Sequence, residues 1–132
     1  METVMNRNLL LSIVELGGYP DFGPLYKEYG YEVTVVKTMR KALGFLKKQQ
    51  PAVIVAEFNF QSDFRDRTSS LESLLAVVQR LPGTNAIVFY DMEYLPQFDK
   101  LRARLPVYAA IAFPIERAEL ESCLQSLSNE SG

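Results

Sequence analysis

The sequence contains no histidine. That excludes His-ligated zinc, a Ser-His-Asp triad, imidazole acid–base catalysis and a phosphohistidine carrier. It contains one cysteine, Cys123, so no intramolecular disulfide can form, and a reduced cytoplasmic setting is expected. Charge of one sign is also scarce: the formal net charge is −2, with acids and bases interspersed. Such a balance points neither to nucleic acid nor to a membrane surface. The apolar run 9–14 is far too short to span a bilayer, and residues 1–8 lack a secretory apolar core. There is no Gly-x-Gly-x-x-Gly and no Gly-Lys-Ser/Thr.

What is present is apolar material: 48% of 132 residues, with eight Phe and seven Tyr. That suffices for one domain with a substantial core. The ends, 1–8 and 128–132, are expected to fray.

Apolar runs alternate with amphipathic segments. Five runs read as strands: 9–14, 31–36, 52–56, 85–90 and 107–113. The third, Ala-Val-Ile-Val-Ala, is apolar throughout, as a central parallel strand covered on both faces should be. The second is β-branched and partly alternating, which suits an edge. Between the runs lie helical stripes. Phe22, Leu25, Tyr26 and Tyr29 mark a short first helix that Gly30 ends. Thr38 caps a second helix carrying Met39, Ala42, Leu43 and Leu46, and Pro51 limits it. Ser69 and Glu72 have capping-box spacing before Leu71, Leu74, Leu75 and Val78. Pro96 opens a fourth helix with Phe98, Leu101 and Leu105. Leu120, Cys123, Leu124 and Leu127 form the fifth stripe.

Five strand–helix units in succession predict an α/β fold, a three-layer α/β/α sandwich. The expected sheet is flavodoxin-like, five-stranded and parallel, in order 2-1-3-4-5. Ligands of such sheets bind at the carboxyl ends of the strands, so Glu15, Leu16, Glu57, Tyr90, Asp91, Phe113 and Pro114 carry the functional question.

The segment Gln50-Pro-Ala-Val-Ile-Val-Ala-Glu-Phe-Asn59 resembles the third strand of CheY-like response-regulator receiver domains. Gly30-Tyr-Glu-Val33 is similar to that family's entry into its second strand. Ala112-Phe113-Pro114-Ile115 resembles its Thr-Lys-Pro-Phe turn, in which the Pro can follow a cis bond. The resemblance implies a phosphorylation site built from an acidic pair, an Asp acceptor, a small hydroxyl residue and a Lys. This chain has Glu15-Leu16, Glu57, Tyr90 and Phe113 at those places. Half of the acidic pair is gone, the acceptor is one methylene too long, Tyr90 is expected to fill the pocket, and the balancing cation is missing. The resemblance therefore implies a pseudo-receiver with no catalytic residue, metal or cofactor. The implied role is a protein interaction module in bacterial signal transduction.

Its expected partner is another signalling protein, and a homodimer is compatible with family habit. Tyr94, Leu101, Tyr108 and Phe113 are the expected interaction surface. Glu57 is read as a fixed charge standing in for a phosphoryl group, or as a plain polar strand end. Tyr90 and Phe113 are read as a lock on one packing. The loop Asp63-Phe64-Arg65-Asp66-Arg67 is read as a solvated loop held by its own ion pairs, with a lid or docking element over the pocket as the sharper alternative. Two alternatives stand beside this. One is a Mg-dependent receiver using Glu57, Asp91 or Glu15. The other is a flavodoxin-like small-ligand binder, for which Gly17-Gly18-Tyr-Pro-Asp-Phe-Gly23 supplies only backbone donors. Cys123 is read as core, and Lys47, Lys48, Arg102 and Arg104 as solvated helix faces.

Overall fold

The computed structural model describes residues 5–59 and 70–131. The loop 63–67 and the capping residue Ser69 lie outside the described residues. The elements run in chain order as β1 (Met5–Ile13), α1 (Gly23–Glu28), β2 (Glu32–Val36), α2 (Met39–Leu46), β3 (Gln50–Glu57), α3 (Ser70–Val78), β4 (Asn85–Tyr90), α4 (Leu95–Arg102), β5 (Ala109–Ala112) and α5 (Arg117–Ser131). The sheet is five-stranded and parallel in order β2-β1-β3-β4-β5, as the pattern of runs predicts.

Alternation along each strand splits the apolar residues between two cores. Leu11 and Ile13 of β1, Ile54 and Ala56 of β3, and Ala86 and Val88 of β4 meet α2, α3 and α4 on one face. Leu10, Val53, Val55, Ile87 and Phe89 meet α1 and α5 on the other. The helical stripes dock as expected: Ala42, Leu74, Leu75, Phe98, Leu120 and Leu124 are fully buried. The Thr38 hydroxyl accepts the Lys41 N–H at 3.1 Å and so starts α2. Gly30 follows α1 at φ +88°, the left-handed conformation that a helix stop needs.

Several boundaries differ from the sequence reading. Residues 5–8, expected to fray, belong to β1: Met5 pairs with Gln50 and Asn6 with Pro51. Asn6, Arg7 and Asn8 are polar, but ladder pairing uses only the backbone. The register shifts between Asn6 and Leu10, where the Asn6 Oδ1 accepts the Asn8 N–H at 3.0 Å. Pro51 is the second residue of β3 beside this irregularity, and α2 ends at Leu46, well before it. The C-terminal helix continues through Ser131 instead of fraying from 128. The last strand is shorter than its apolar run, four residues from Ala109.

Candidate functional site

The parity of β3 decides where the site lies. Val53 and Val55 point toward α1 and α5, so Glu57, two residues on, points the same way at the carboxyl end of the central strand. It is only 1% exposed. A buried carboxylate needs donors for its lone pairs, and here it has five. The turn after β1 supplies three backbone N–H groups: Glu15 (3.2 Å) and Gly17 (3.3 Å) to Oε2, and Leu16 (2.9 Å) to Oε1. The Tyr19 hydroxyl donates to Oε2 at 2.6 Å, and the Asn59 amide donates to Oε1 at 3.2 Å.

Consecutive N–H groups converge on one anion only where the chain curls. Gly17 (φ +71°) and Gly18 (φ +87°) provide that curl in the left-handed region. The result is a backbone nest for an anion whose occupant comes from the same chain. Tyr19 holds its hydroxyl over Glu57 because its ring is wedged among aromatics. Phe89 meets it edge-on at 5.0 Å, and Phe113 and Phe22 lie at 6.0 and 6.5 Å. Burial, then the hydrogen bond to Glu57, hold the Tyr19 pKa far above the ordinary phenol value, so it stays a donor. Glu15 stands next to Glu57, with its Oε1 3.5 Å from the Asn59 amide. Burial and the Glu57 charge raise its pKa, against the lowering effect of Asn59.

No protein-family model matches the sequence, and no curated protein matches it. Solved structures do match. A response regulator receiver domain protein from Clostridium thermocellum superposes with a TM-score of 0.72 at 13% identity, over 93% of this chain and 95% of that one. A CheY-like receiver domain protein from Methanospirillum hungatei gives 0.70 at 16%, over 96% and 98%. An adenylate cyclase structure from Rhodopirellula baltica gives 0.67 at 13%, over 92% and 87%. The chain has the CheY-like receiver fold.

Within that receiver fold, Glu15, Leu16 and Glu57 do come together, but not through the atoms the sequence suggests. Leu16 takes part through its N–H, while its side chain is 74% exposed. Tyr90 does not fill the space beside Glu57. Strand alternation turns it to the opposite face, where it stacks on Phe98 at 4.8 Å. The aromatic wall is Phe89, Phe113 and Tyr19 instead. Asp91 is engaged locally: its Oδ1 accepts the Glu93 N–H at 2.9 Å and caps the short 3₁₀ turn Met92–Tyr94. Among the described residues no group of three His, Cys, Asp or Glu side chains could hold a metal ion. Five N–H and O–H donors aimed at one carboxylate also present their positive ends, which disfavours a cation there.

The expected interaction surface needs correction too. Leu101 is 4% exposed and belongs to the core under α4. Tyr94 packs against that same core and Tyr108 against the core on the other face. The four residues therefore do not form one patch. Among the described residues the most exposed large apolar side chains are Leu16 at 74%, Met92 at 54% and Val35 at 51%. The first two stand in the turns after β1 and β4, at the same rim of the sheet as Glu57. Cys123 is half-buried, and burial raises its pKa, so it is a poor nucleophile. Tyr19 and Asn59 escaped the sequence reading. The only hint was the Gly17-Gly18-Tyr segment, whose backbone donors were read for an external phosphate.

Proposed function

We propose that this chain is a non-catalytic pseudo-receiver, a protein interaction module of bacterial signal transduction that works without Asp phosphorylation. The observation that carries the reading is the saturation of Glu57. Both carboxylate oxygens are engaged by donors of the surrounding rim, so neither is presented to a phosphodonor or a divalent ion. An in-line transfer needs a reachable, correctly spaced oxygen, and a buried, fully bonded one is neither. Phe113 stands where the receiver resemblance implies a cation, and it packs against Phe89 at 6.4 Å.

The same arrangement favours a constant surface. A negative charge held in the rim ties the β1–α1 turn down, and the exposed Leu16 and Met92 side chains stand on either side of β3. We assign the partner-facing surface to this rim, and the partner to another signalling protein or a second copy of the chain.

The test is incubation of the purified protein with acetyl phosphate and Mg²⁺. Intact mass should show no phosphoryl adduct, and amide resonances of residues 15–17 and 57 should not move on Mg²⁺ addition. A stoichiometric adduct, or saturable Mg²⁺ shifts at those amides, would replace this reading with the Mg-dependent one.

A further inference from the structure

The first helix has six residues, and this brevity opens a cavity of about 400 Å³ beside β1 and β2, on the α1 side of the sheet. Volumes of roughly 300–1,000 Å³ are typical of small-molecule sites. Its walls are of mixed character. Val33 and Val35 of β2 and the Phe22 ring give an apolar surface.

Two hydroxyls belong to the lining. Ser12 is 8% exposed and Tyr26 is 3% exposed, yet neither side chain has a hydrogen bond to any described residue. Neither hydroxyl oxygen is fully sealed from solvent, and both residues line the cavity. An accessible hydroxyl without a protein partner is free to bond to a molecule in the cavity. Burial, then the Asp21 charge, raise the Tyr26 pKa well above the usual phenol value, so that it remains a donor.

Two opposite charges complete the lining. The Asp21 carboxylate accepts the Gly23 N–H through Oδ1 at 2.9 Å, leaving Oδ2. Lys37 lies across the same cavity, just beyond the end of β2. Among the described residues neither takes part in an ion pair, with the other or with anything else. Separated charges of both signs, two hydroxyls and an apolar wall are complementary to a molecule that carries an ammonium, a carboxylate and an apolar group together.

We infer that this cavity is a binding site for a small zwitterion with an apolar side chain, of the α-amino-acid type. Asp21 takes the ammonium, Lys37 the carboxylate, Ser12 and Tyr26 bond to the carboxylate oxygens, and Val33, Val35 and Phe22 pack on the side chain. The cavity adjoins the Glu57 site through Tyr19, which lines it and donates to Glu57, but the inference does not rest on whether Glu57 is phosphorylated.

The experiment is an NMR titration of the full chain with L-leucine, with 4-methylpentanoate (no ammonium) and with 3-methylbutylamine (no carboxylate). Leucine should give saturable amide shifts centred on residues 12, 26, 33 and 35. Each single-charge analogue should bind at least about tenfold more weakly. Lys37→Met and Asp21→Asn should each weaken leucine binding by about the same factor, and the Asn side chain still accepts the Gly23 N–H, so α1 keeps its start. Both substitutions are at exposed positions, and an unchanged spectrum away from the cavity confirms the fold. Absence of saturable leucine shifts overturns the proposal. So does an analogue lacking one charge that binds as tightly as leucine, or leucine affinity unaffected by both substitutions.

Discussion

At the scale of single residues, Glu57 and Tyr19 form the smallest unit whose chemistry can be altered alone. Replacing Glu57 by Gln keeps the shape but turns one acceptor oxygen into an N–H₂ that faces other donors. A charge-assisted bond to a buried group contributes about 1.5–3 kcal/mol. Glu57→Gln is therefore expected to lower unfolding stability by about 2 kcal/mol, read as a shift of the urea midpoint at unchanged slope. Tyr19→Phe retains the ring packing and deletes one donor, so its cost should be smaller, about 1 kcal/mol. Equal costs for the two would mean that the tyrosine, not the nest, holds the carboxylate.

Glu15 gives the complementary test. Its folded-state pKa is raised above the ordinary 4.5, by burial first and by the Glu57 charge second. A raised value means that the folded state binds the proton more tightly than the unfolded one. The stability it contributes is complete below pH 4.5 and is lost as pH rises through the raised value. Glu15→Gln removes that loss. The variant should be more stable than the parent at pH 7, and the advantage should shrink as pH falls through the raised value and vanish below 4.5. A stability difference independent of pH would show that neither burial nor Glu57 raises the Glu15 pKa. The position of Glu57 was legible in the sequence because a continuous apolar strand ends there. Its partners were not, because three of them are backbone N–H groups, which carry no side-chain signature. Only the paired glycines hinted at them.

Elements are where the sequence was most informative and also where it misled. Apolar stripes placed every helix on its correct face, since burying such a stripe dominates helix docking. Strand ends were less visible: Met5 and Asn6 are paired in β1 ahead of its apolar run, and Val107 precedes β5 despite its apolar side chain. Tyr90 shows the same limit, because strand-end bulk predicts filling but not the face that is filled. Two glycines give opposite predictions at this scale. Gly44 lies in α2, exposed, and an added Cβ meets nothing within 4 Å. Gly44→Ala should stabilise by about 0.5–1 kcal/mol. Gly18 has equally open space, but its φ is +87°, so Gly18→Ala should destabilise by about 1 kcal/mol. Thermal melts of the two variants on either side of the parent are the expected result. Stabilisation by the second would show that the β1–α1 turn does not need its curl.

For the whole molecule, the sheet is shared by two cores, each with an aromatic centre. Phe89 lies among Tyr19 and Phe113 on one face, and Phe98 lies between Tyr90 and Phe58 on the other. Both are fully buried. Phe89→Ala and Phe98→Ala should each cost about 3–5 kcal/mol. Because every core strand serves both faces, each variant should still unfold in a single transition, with fluorescence and circular dichroism coincident. Separate transitions for the two probes would mean that the two faces melt independently. The fold itself was legible at this scale, since five strand–helix units leave few right-handed topologies.

The anion in the rim is joined to the chain by peptide bonds. A phosphoryl group on an aspartate leaves by hydrolysis, and a free anion leaves by diffusion, but Glu57 can do neither. Tethering makes its rebinding intramolecular, so no dissolved anion is needed to refill the nest. The turn it fastens is therefore held by an occupant that stays within reach for as long as the fold lasts.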